Sequence, residues 1–308
     1  MGRYVLQRFI YMFVTLFLIC TVTFFLMKLL PGSPLKNPEK LTPDQKQIIF
    51  AKFGLDKPVP VQYAKYMENL AKGDLGVSYR YDNRKVTDMI KTRIGPSAQL
   101  GAQALLLGTF IGLLFGIVAA LKNNTIYDYG STVLAVLGIS IPSFVFGAIL
   151  QYYLAVKLHW FPVAYWESFK YTILPTIALS VFVTATVARF SRTELIEVMN
   201  SEYIVTAKAK GISQVGVIIK HALRNALIPV ITILGPMAVN LMTGTLVIEN
   251  MFAVPGLGSQ FVNSIQTNDY SLIMGTTIFY SALLLIVIFV VDILYGVIDP
   301  RIRLAGGK

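Results

Sequence analysis

Six long runs without a charged residue alternate with polar segments along this 308-residue chain. A helix that crosses a bilayer needs about 20 consecutive apolar residues, and each run is long enough to supply one. Because backbone groups cannot stay unpaired in hydrocarbon, each run predicts a helix. The pattern therefore predicts an all-α polytopic membrane protein with six transmembrane helices. The runs are 9–27, 98–121, 129–156, 171–188, 225–248 and 270–291.

Four prolines lie within these runs or near their starts, and each predicts a kink, because proline lacks the amide hydrogen that a helix interior uses. They are Pro142, Pro175, Pro229 and Pro236.

The polar segment between the first two runs, residues 31–97, also has helical signals. Thr42-Pro43-Asp44-Gln45 reads as a capping box with proline at the first helical position, and Gly54 can close that helix. Apolar residues at helical spacing recur in 60–73 and again before Gly95-Pro96. We therefore predict a small helical subdomain outside the membrane, packed on the mouth of the spans. It either contacts a ligand or serves as a structural cap.

The segment 200–229 is the most polar stretch between two of the runs, yet it is patterned as structure. Asn or Ser before a first-turn glutamate is typical of a helix start, and glycine after basic residues is typical of a left-handed helix end. Ser213 can begin a second helix that runs toward Asn225 and into the fifth span. The start and end signals of the first helix are Asn200 or Ser201, Glu202, Lys208, Lys210 and Gly211. Tyr203, Ala207 and Lys210 are spaced so that they lie on one face of this helix.

Orientation follows from Lys and Arg in the short flanks of the spans. The segment between the fourth and fifth spans is rich in both, whereas 249–269 contains neither. The start of the chain has Arg3 and Arg8, and its tail has Arg301, Arg303 and Lys308. We therefore predict that both termini and the 200–229 segment are cytoplasmic. The 31–97 segment is too long for the rule to apply.

Composition supports a membrane protein, since 55% of the residues are hydrophobic and only 14% are charged. The net charge of +11 is spread over the flanks of apolar runs rather than gathered in a compact basic domain, which argues against nucleic acid as a partner. The single cysteine, Cys20, lies inside an apolar run and cannot form an internal disulfide.

At residues 205–224 the chain resembles the permease subunits of bacterial ABC importers. Their pattern is E-A-A, three residues, Gly, nine residues and I-x-L-P. Val205-Thr206-Ala207 take the E-A-A places, Gly211 is the glycine, and His221-Ala222-Leu223-Arg224 take the I-x-L-P places. Val205 replaces the motif glutamate, with Glu202 the nearest acid, and Arg224 replaces the final proline. Apart from this motif, His221 would be explained as an ordinary basic residue at the flank of a membrane span.

The resemblance extends over nearly the whole chain and points to the oligopeptide and dipeptide branch. Its further matches are A-K-A-K-G (207–211), G-L-D-K-P (54–58), G-D-L-G (73–76), the 249–265 loop and D-I-L-Y-G-V-I-D-P-R (292–301). It implies the type I importer permease fold in a bacterial cytoplasmic membrane. The expected parts are residues 1–30 with the first span, the external segment 31–97, a permease domain 98–298 that includes a coupling hairpin 200–224, and a tail 299–308.

The function that the resemblance implies is to form half of a translocation pathway for oligopeptides. Because some relatives carry dipeptides, glutathione or nickel, each of these remains an alternative cargo for this chain. The implied partners are a second, similar permease, two cytoplasmic ATPases that bind ATP and Mg, and an external peptide-binding lipoprotein. No cofactor is expected on this chain. The residues implied in ATPase coupling are Glu202, Tyr203, Val205, Thr206, Ala207, Lys208, Lys210, Gly211, His221 and Arg224.

Polar residues inside spans usually face a protein interior or a wet path. Asn240, Thr243 and Glu249 are therefore candidates for lining or gating the pathway, although an interhelical hydrogen bond would also explain Asn240. A ladder of small residues in the second span allows close helix approach, either within the chain or with another subunit. Its members are Ala104, Gly108, Gly112, Gly116 and Ala120.

Other chemistry finds little support in the sequence. No P-loop, zinc-binding or G-x-S-x-G pattern is present, which argues against an ATPase and against an intramembrane enzyme. An ion-coupled secondary transporter usually has ionisable groups inside its spans, and these runs have none. Energy for active transport would therefore come from a partner.

Overall fold

The computed structural model describes residues 2–30, 33, 35, 38–242 and 245–298, and the side chains of 294–298 are left undescribed. The described residues are mostly helical, and the strand-like pairing among them is an isolated bridge between Val77 and Lys85. The α-helices are α1 (Gly2–Leu29), α2 (Pro43–Phe53), α3 (Val59–Ala71), α4 (Val86–Leu121), α5 (Ile126–Ser140), α6 (Ser143–Leu150), α7 (Phe169–Met199), α8 (Glu202–Ala209), α9 (Gln214–Gly216), α10 (Leu223–Met242), α11 (Leu246–Met251), α12 (Leu257–Gln266) and α13 (Tyr270–Ile298). A 3₁₀ turn covers Pro38–Lys40, and π-helical turns cover Gln151–Lys157 and Val217–Ala222.

By length and composition, five helices in the described part of the chain can cross a membrane, and a sixth span results if one bent helix pair is counted. These six elements coincide with the six apolar runs, so the prediction of an all-α polytopic protein is confirmed.

The third run is not one straight helix. Its two halves, Ile126–Ser140 and Ser143–Lys157, are bent by 100°. The residue before a proline is driven from helical to extended backbone, and Ile141 has φ −84° and ψ 119°. Pro142 then starts α6 as its N-cap. The sequence predicted a kink here, but the bend is a full break.

The second run also differs from the prediction, because α4 continues through Gly95-Pro96 and joins the amphipathic stretch to the span as one helix of 36 residues. Pro175, Pro229 and Pro236 likewise remain inside helices. Neighbouring helices and side chains can satisfy the carbonyl that a membrane proline frees.

The chain divides into two compact units, Met1–Gly95 with Leu257–Lys308, and Pro96–Gly256. In the first unit α1 and α12 pack on α13. Its buried cluster is Val86, Met89, Ile90, Leu257 and Leu272.

The 31–97 segment is fastened to the spans of this unit by polar and aromatic contacts. Asp269, which is fully buried before α13, accepts hydrogen bonds from the Ser78 hydroxyl and from the amides of Tyr79 (3.3 Å) and Leu272 (3.4 Å). Tyr63 of α3 shares a 2.7 Å hydrogen bond with Thr21 of α1.

In the second unit, α7 is the central helix, with α5, α6 and α10 packed on it. The glycines of α4 also lie against α7. A Cβ on Gly108 would come within 2.5 Å of Val183 Cβ, and one on Gly112 within 2.7 Å of the Thr184 carbonyl oxygen. The small-residue ladder therefore serves packing inside the chain at these positions.

Candidate coupling site

The coupling hairpin begins where α7 ends at Met199. Ser201 has extended backbone at the N-cap of α8, but its hydroxyl donates to the Val198 carbonyl (2.6 Å) rather than capping α8. Glu202 lies in the first turn of α8 and Lys208 in its last turn, charges that suit the helix dipole at each end. The local sequence thus sets the length of a two-turn helix.

Gly211 ends this helix in the left-handed conformation that the sequence predicts, with φ +76°. Its amide donates to the Lys208 carbonyl (3.0 Å), and the Ile212 amide donates to the Ala207 carbonyl (3.3 Å). These two bonds form a Schellman motif, which fixes the direction in which the chain leaves α8.

Ser213 starts the second arm of the hairpin, as predicted, and its hydroxyl accepts from the Gly216 amide (3.3 Å). This arm runs through α9 and the π-helical turn Val217–Ala222 into α10. It therefore connects the hairpin directly to the fifth span.

One apolar cluster holds both arms against the end of α7. Ile204 is fully buried on α8, with Ala207 three residues later on the same face. The cluster consists of Leu195, Ile204, Ala207, Val217, Ala222 and Ala226, with Ile117, Ala120, Val198, Met199 and Leu223 packed against it. The cluster therefore places α8 in direct contact with the end of α7 and with the second arm.

The opposite side of α8 is exposed. Val205 is 60% exposed and Tyr203 is 44% exposed, and Ile219 of the second arm is 60% exposed. Exposed large apolar residues of this kind are typical of a surface that another protein covers, and Lys208 and Lys210 of the same hairpin are also exposed.

The structure brings together the residues that the family motif implies in coupling, but it gives them different roles. Ala207 is 6% exposed and belongs to the cluster, so the predicted shared face with Tyr203 and Lys210 is not a shared outer surface. The helix has turned its small residues inward, where the second arm lies close. The exposed members are Glu202, Tyr203, Val205, Thr206, Lys208, Lys210, Gly211 and Arg224, and His221 is half-buried.

Two polar contacts of the hairpin were missed by sequence reasoning. The side-chain amide of Asn225 donates to the Tyr203 hydroxyl (3.0 Å) and so joins the two arms. At the base of the hairpin, the Arg192 guanidinium binds the buried carboxylate of Asp128 through Nε (2.5 Å) and Nη2 (2.9 Å). An acid and a base at the polar ends of neighbouring apolar runs are the only sequence signal for that pair.

Two of the three pathway candidates, Asn240 and Glu249, lie among the described residues. Asn240 lies exposed on α10, and Thr243 lies outside the described residues. Glu249 is fully buried and accepts a 2.6 Å hydrogen bond from the Ser97 hydroxyl. A Cβ on Gly256 would come within 2.5 Å of the Glu249 carboxylate, so in this structure Glu249 packs inside the second unit.

The described residues contain no cluster of His, Cys, Asp and Glu side chains that could hold a metal ion.

Five apolar spans, or six with the bent helix pair, and a hairpin that leads into one of them define a multi-pass membrane protein. Residues 112–304 match the family model of the binding-protein-dependent transport system inner membrane component, and residues 1–100 match the model of its N-terminal region. The chain belongs to this family, as a permease subunit of an ABC importer in the dipeptide and oligopeptide branch.

Curated relatives cover the full length. The chain is 49% identical to the dipeptide transport system permease protein DppB of Lactococcus lactis, over 99% of this chain and 100% of the relative. It is 44% identical to DppB of Bacillus subtilis, over 99% of each chain. It is 42% identical to the oligopeptide transport system permease protein OppB of Escherichia coli, over 98% of this chain and 100% of the relative.

Among solved structures, an amino acid ABC transporter crystallised with histidines matches 70% of this chain and 94% of its own, with a TM-score of 0.52 and 13% identity. This likeness supports the permease fold.

Proposed function

We propose that this chain forms half of a translocation pathway for dipeptides and oligopeptides, and that a second, similar permease forms the other half. The proposal is supported by relatives named for dipeptide and oligopeptide transport at 42–49% identity. An external lipid-anchored binding protein would deliver the peptide. Two cytoplasmic ATPases would bind ATP and Mg and hydrolyse ATP, so the chain itself would need no cofactor.

The observation that carries the coupling role is the two-faced construction of α8. Its inner face, with Ile204 and Ala207, is packed on α7 and on the second arm of the hairpin. Its outer face presents Val205, which is 60% exposed, to whatever lies outside the chain. Closure of the ATPases on ATP would push on the outer face, and the inner face would pass the movement to the spans.

The proposed orientation puts the chain in a bacterial cytoplasmic membrane with the hairpin and both termini inside. Because Cys20 is the single cysteine and is buried, it can be replaced by serine to give a background without thiols. Lys72→Cys should then react with an impermeant reagent in intact cells, and Lys208→Cys should react only after permeabilisation. Both positions are exposed, so labelling of Lys208→Cys from outside would contradict the orientation.

The transport function is tested in proteoliposomes that contain both permeases, both ATPases and the binding protein. Uptake of a labelled dipeptide or tetrapeptide should require ATP and all partners. Nickel and glutathione serve as alternative cargoes in parallel samples. Uptake of either one, without peptide uptake, would overturn the peptide assignment but leave the permease class intact.

A further inference from the structure

A half-open cavity of about 270 Å³ lies within the unit formed by Met1–Gly95 and Leu257–Lys308. Its walls come from the end of α1, the loop after α2, the α3 helix, the 74–79 segment and the start of α13. Two of the segments that the sequence analysis singled out meet here, namely Gly54-Leu55 of G-L-D-K-P and Asp74-Leu75-Gly76 of G-D-L-G. Both motifs therefore shape one cavity, which the coupling role does not use.

The charged groups around the cavity favour an anion. Lys28, Lys52 and Lys65 line it, and Asp74 is the acid among the described lining residues. The Asp74 carboxylate is engaged locally, because its Oδ1 accepts from the Gly76 amide (2.9 Å). The Lys28 ammonium donates to Gln62, which in turn donates to the Lys57 carbonyl (2.7 Å). The lining thus has an excess of two positive charges, at least one of them held in place.

Tyr66, whose ring lines the cavity, has an unpartnered hydroxyl group, since this hydroxyl is buried and has no hydrogen-bond partner among the described residues. Burial raises the pKa of the Tyr66 phenol, so it stays protonated and can donate a hydrogen bond. A buried hydroxyl without a partner is costly, and an acceptor that enters the cavity would satisfy it once the Tyr66 side chain turns toward the cavity. The remaining lining is strongly aromatic, with Phe24, Phe53, Tyr66, Tyr79 and Tyr270.

The position of the cavity distinguishes an amphiphile from a soluble anion. Lys28 is in the last turn of the apolar helix α1, the place where lysines reach the membrane surface. Tyrosines concentrate at the same level of a bilayer. Along the preceding turns α1 exposes large apolar side chains, including Phe17, Val22 and Phe25, each 45–54% exposed. An amphiphile whose anionic headgroup enters the cavity could lay its apolar tail along this surface of α1.

We propose that this cavity binds the phosphate headgroup of an anionic phospholipid. The lysines attract the phosphate, Tyr66 donates a hydrogen bond to one of its oxygens, and the acyl chains follow the exposed surface of α1. A peptide fits less well, because a peptide has a positive end that the lysine-rich lining would repel. The bound lipid would fasten the 31–97 segment to the ends of spans one and six. This role is separate from peptide transport and can fail or succeed independently of it.

The test uses the full chain purified with its partner subunits from membranes that contain both phosphatidylglycerol and phosphatidylcholine. Native mass spectrometry then measures which lipid the chain retains. We expect preferential retention of phosphatidylglycerol. Removing one lysine should weaken it about fivefold, and removing all three about a hundredfold, because each basic residue near an anionic surface contributes about equally. The variants are Lys28→Gln, Lys52→Gln and Lys65→Gln.

Lys46→Gln is the matched control, since Lys46 lies on α2 like Lys52 but does not line the cavity. Tyr66→Phe is the second test, because it removes one oxygen atom and no existing hydrogen bond, and it should weaken retention severalfold without unfolding. Equal retention of the two lipids, or lysine variants that behave like Lys46→Gln, would overturn the proposal. Displacement of the lipid by glycerol 3-phosphate would assign the site to small phosphate esters, and displacement by a dipeptide would assign it to substrate. Either result would also overturn the lipid proposal.

Discussion

The coupling hairpin and the 31–97 segment each contain a short helix that ends in the same way. Gly54 closes α2 with φ +67°, and Gly211 closes α8 with φ +76°. In both places the backbone amides of the glycine and of the following residue donate to carbonyls of the helix's last turn. In α2 the Gly54 amide donates to Ala51 and the Leu55 amide donates to Phe50. The two regions differ in what fastens the helices to the rest of the chain.

Residues 38–85 of the 31–97 segment are held mainly by polar groups and stacked aromatic rings, whereas Val86, Met89 and Ile90 at the start of α4 pack in an apolar cluster. The Asp269 carboxylate accepts bonds from residues about 190 positions earlier, and the Phe24 ring stacks on Tyr66 at 5.3 Å between centroids. The hairpin is held mainly by one apolar cluster around Ile204. Polar bonds fix direction, whereas an apolar contact allows a helix to shift against its neighbour. From this difference we expect residues 38–85 to stay in place and the hairpin to be the part that can move.

The largest effect should come from the hairpin cluster. Ile204→Ala removes a fully buried side chain and should destabilise the hairpin by about 2–5 kcal/mol, because it leaves a cavity. Hydrogen exchange of the 202–222 amides should rise accordingly. Ile48→Ala, at a position of α2 that is 69% exposed, is the control and should change little. Similar exchange in the two variants would show that the cluster does not hold the hairpin.

The polar fastening is tested at Asp269. Asp269→Ala leaves the buried Ser78 hydroxyl and the neighbouring amides without their acceptor, and an unsatisfied buried donor costs about 1–3 kcal/mol. Limited proteolysis should then cut the 73–85 stretch faster, while the hairpin keeps its resistance. Asp56→Ala, which removes an exposed acid of the same segment, should leave proteolysis unchanged. If both variants resist cleavage equally, the carboxylate is not the fastening.

The paired glycines should give the smallest change in stability. A Cβ at Gly54 or Gly211 would meet no heavy atom within 4 Å, so valine at either position costs only the left-handed backbone strain, about 1–2 kcal/mol. The two variants should differ in function, because Gly211→Val tilts the proposed docking helix α8 and Gly54→Val does not. Peptide-stimulated ATP hydrolysis should fall only for Gly211→Val. An equal fall in both variants would erase the distinction between the two regions.

Local signals predicted much of this structure. The capping box at Thr42, the left-handed caps at Gly54 and Gly211 and the start at Ser213 depend on a few neighbouring residues, so the sequence is sufficient to find them. The apolar runs likewise predict the number and positions of the spans, because the thickness of the bilayer sets how many apolar residues a spanning helix needs.

Features that depend on distant partners could not be predicted. Pro142 breaks a helix while Pro175 lies inside one, although both are prolines within apolar runs. The burial of Ala207 depends on where the second arm lies, and the pairing of Asp128 with Arg192 joins residues 64 positions apart. Periodicity identifies the faces of a helix but does not say which face a later segment will cover.

The central claim is that the exposed face of α8 is the surface on which an ATPase docks. Val205 and Ile48 offer a matched test, because both are aliphatic, both lie on short helices and they are 60% and 69% exposed. Val205→Arg and Ile48→Arg should both insert and fold, since neither side chain is buried. The decisive measurement is co-purification of the ATPases with each variant from solubilised membranes. We expect Val205→Arg to lose the ATPases and Ile48→Arg to retain them, and full retention by Val205→Arg would contradict docking on this face of α8.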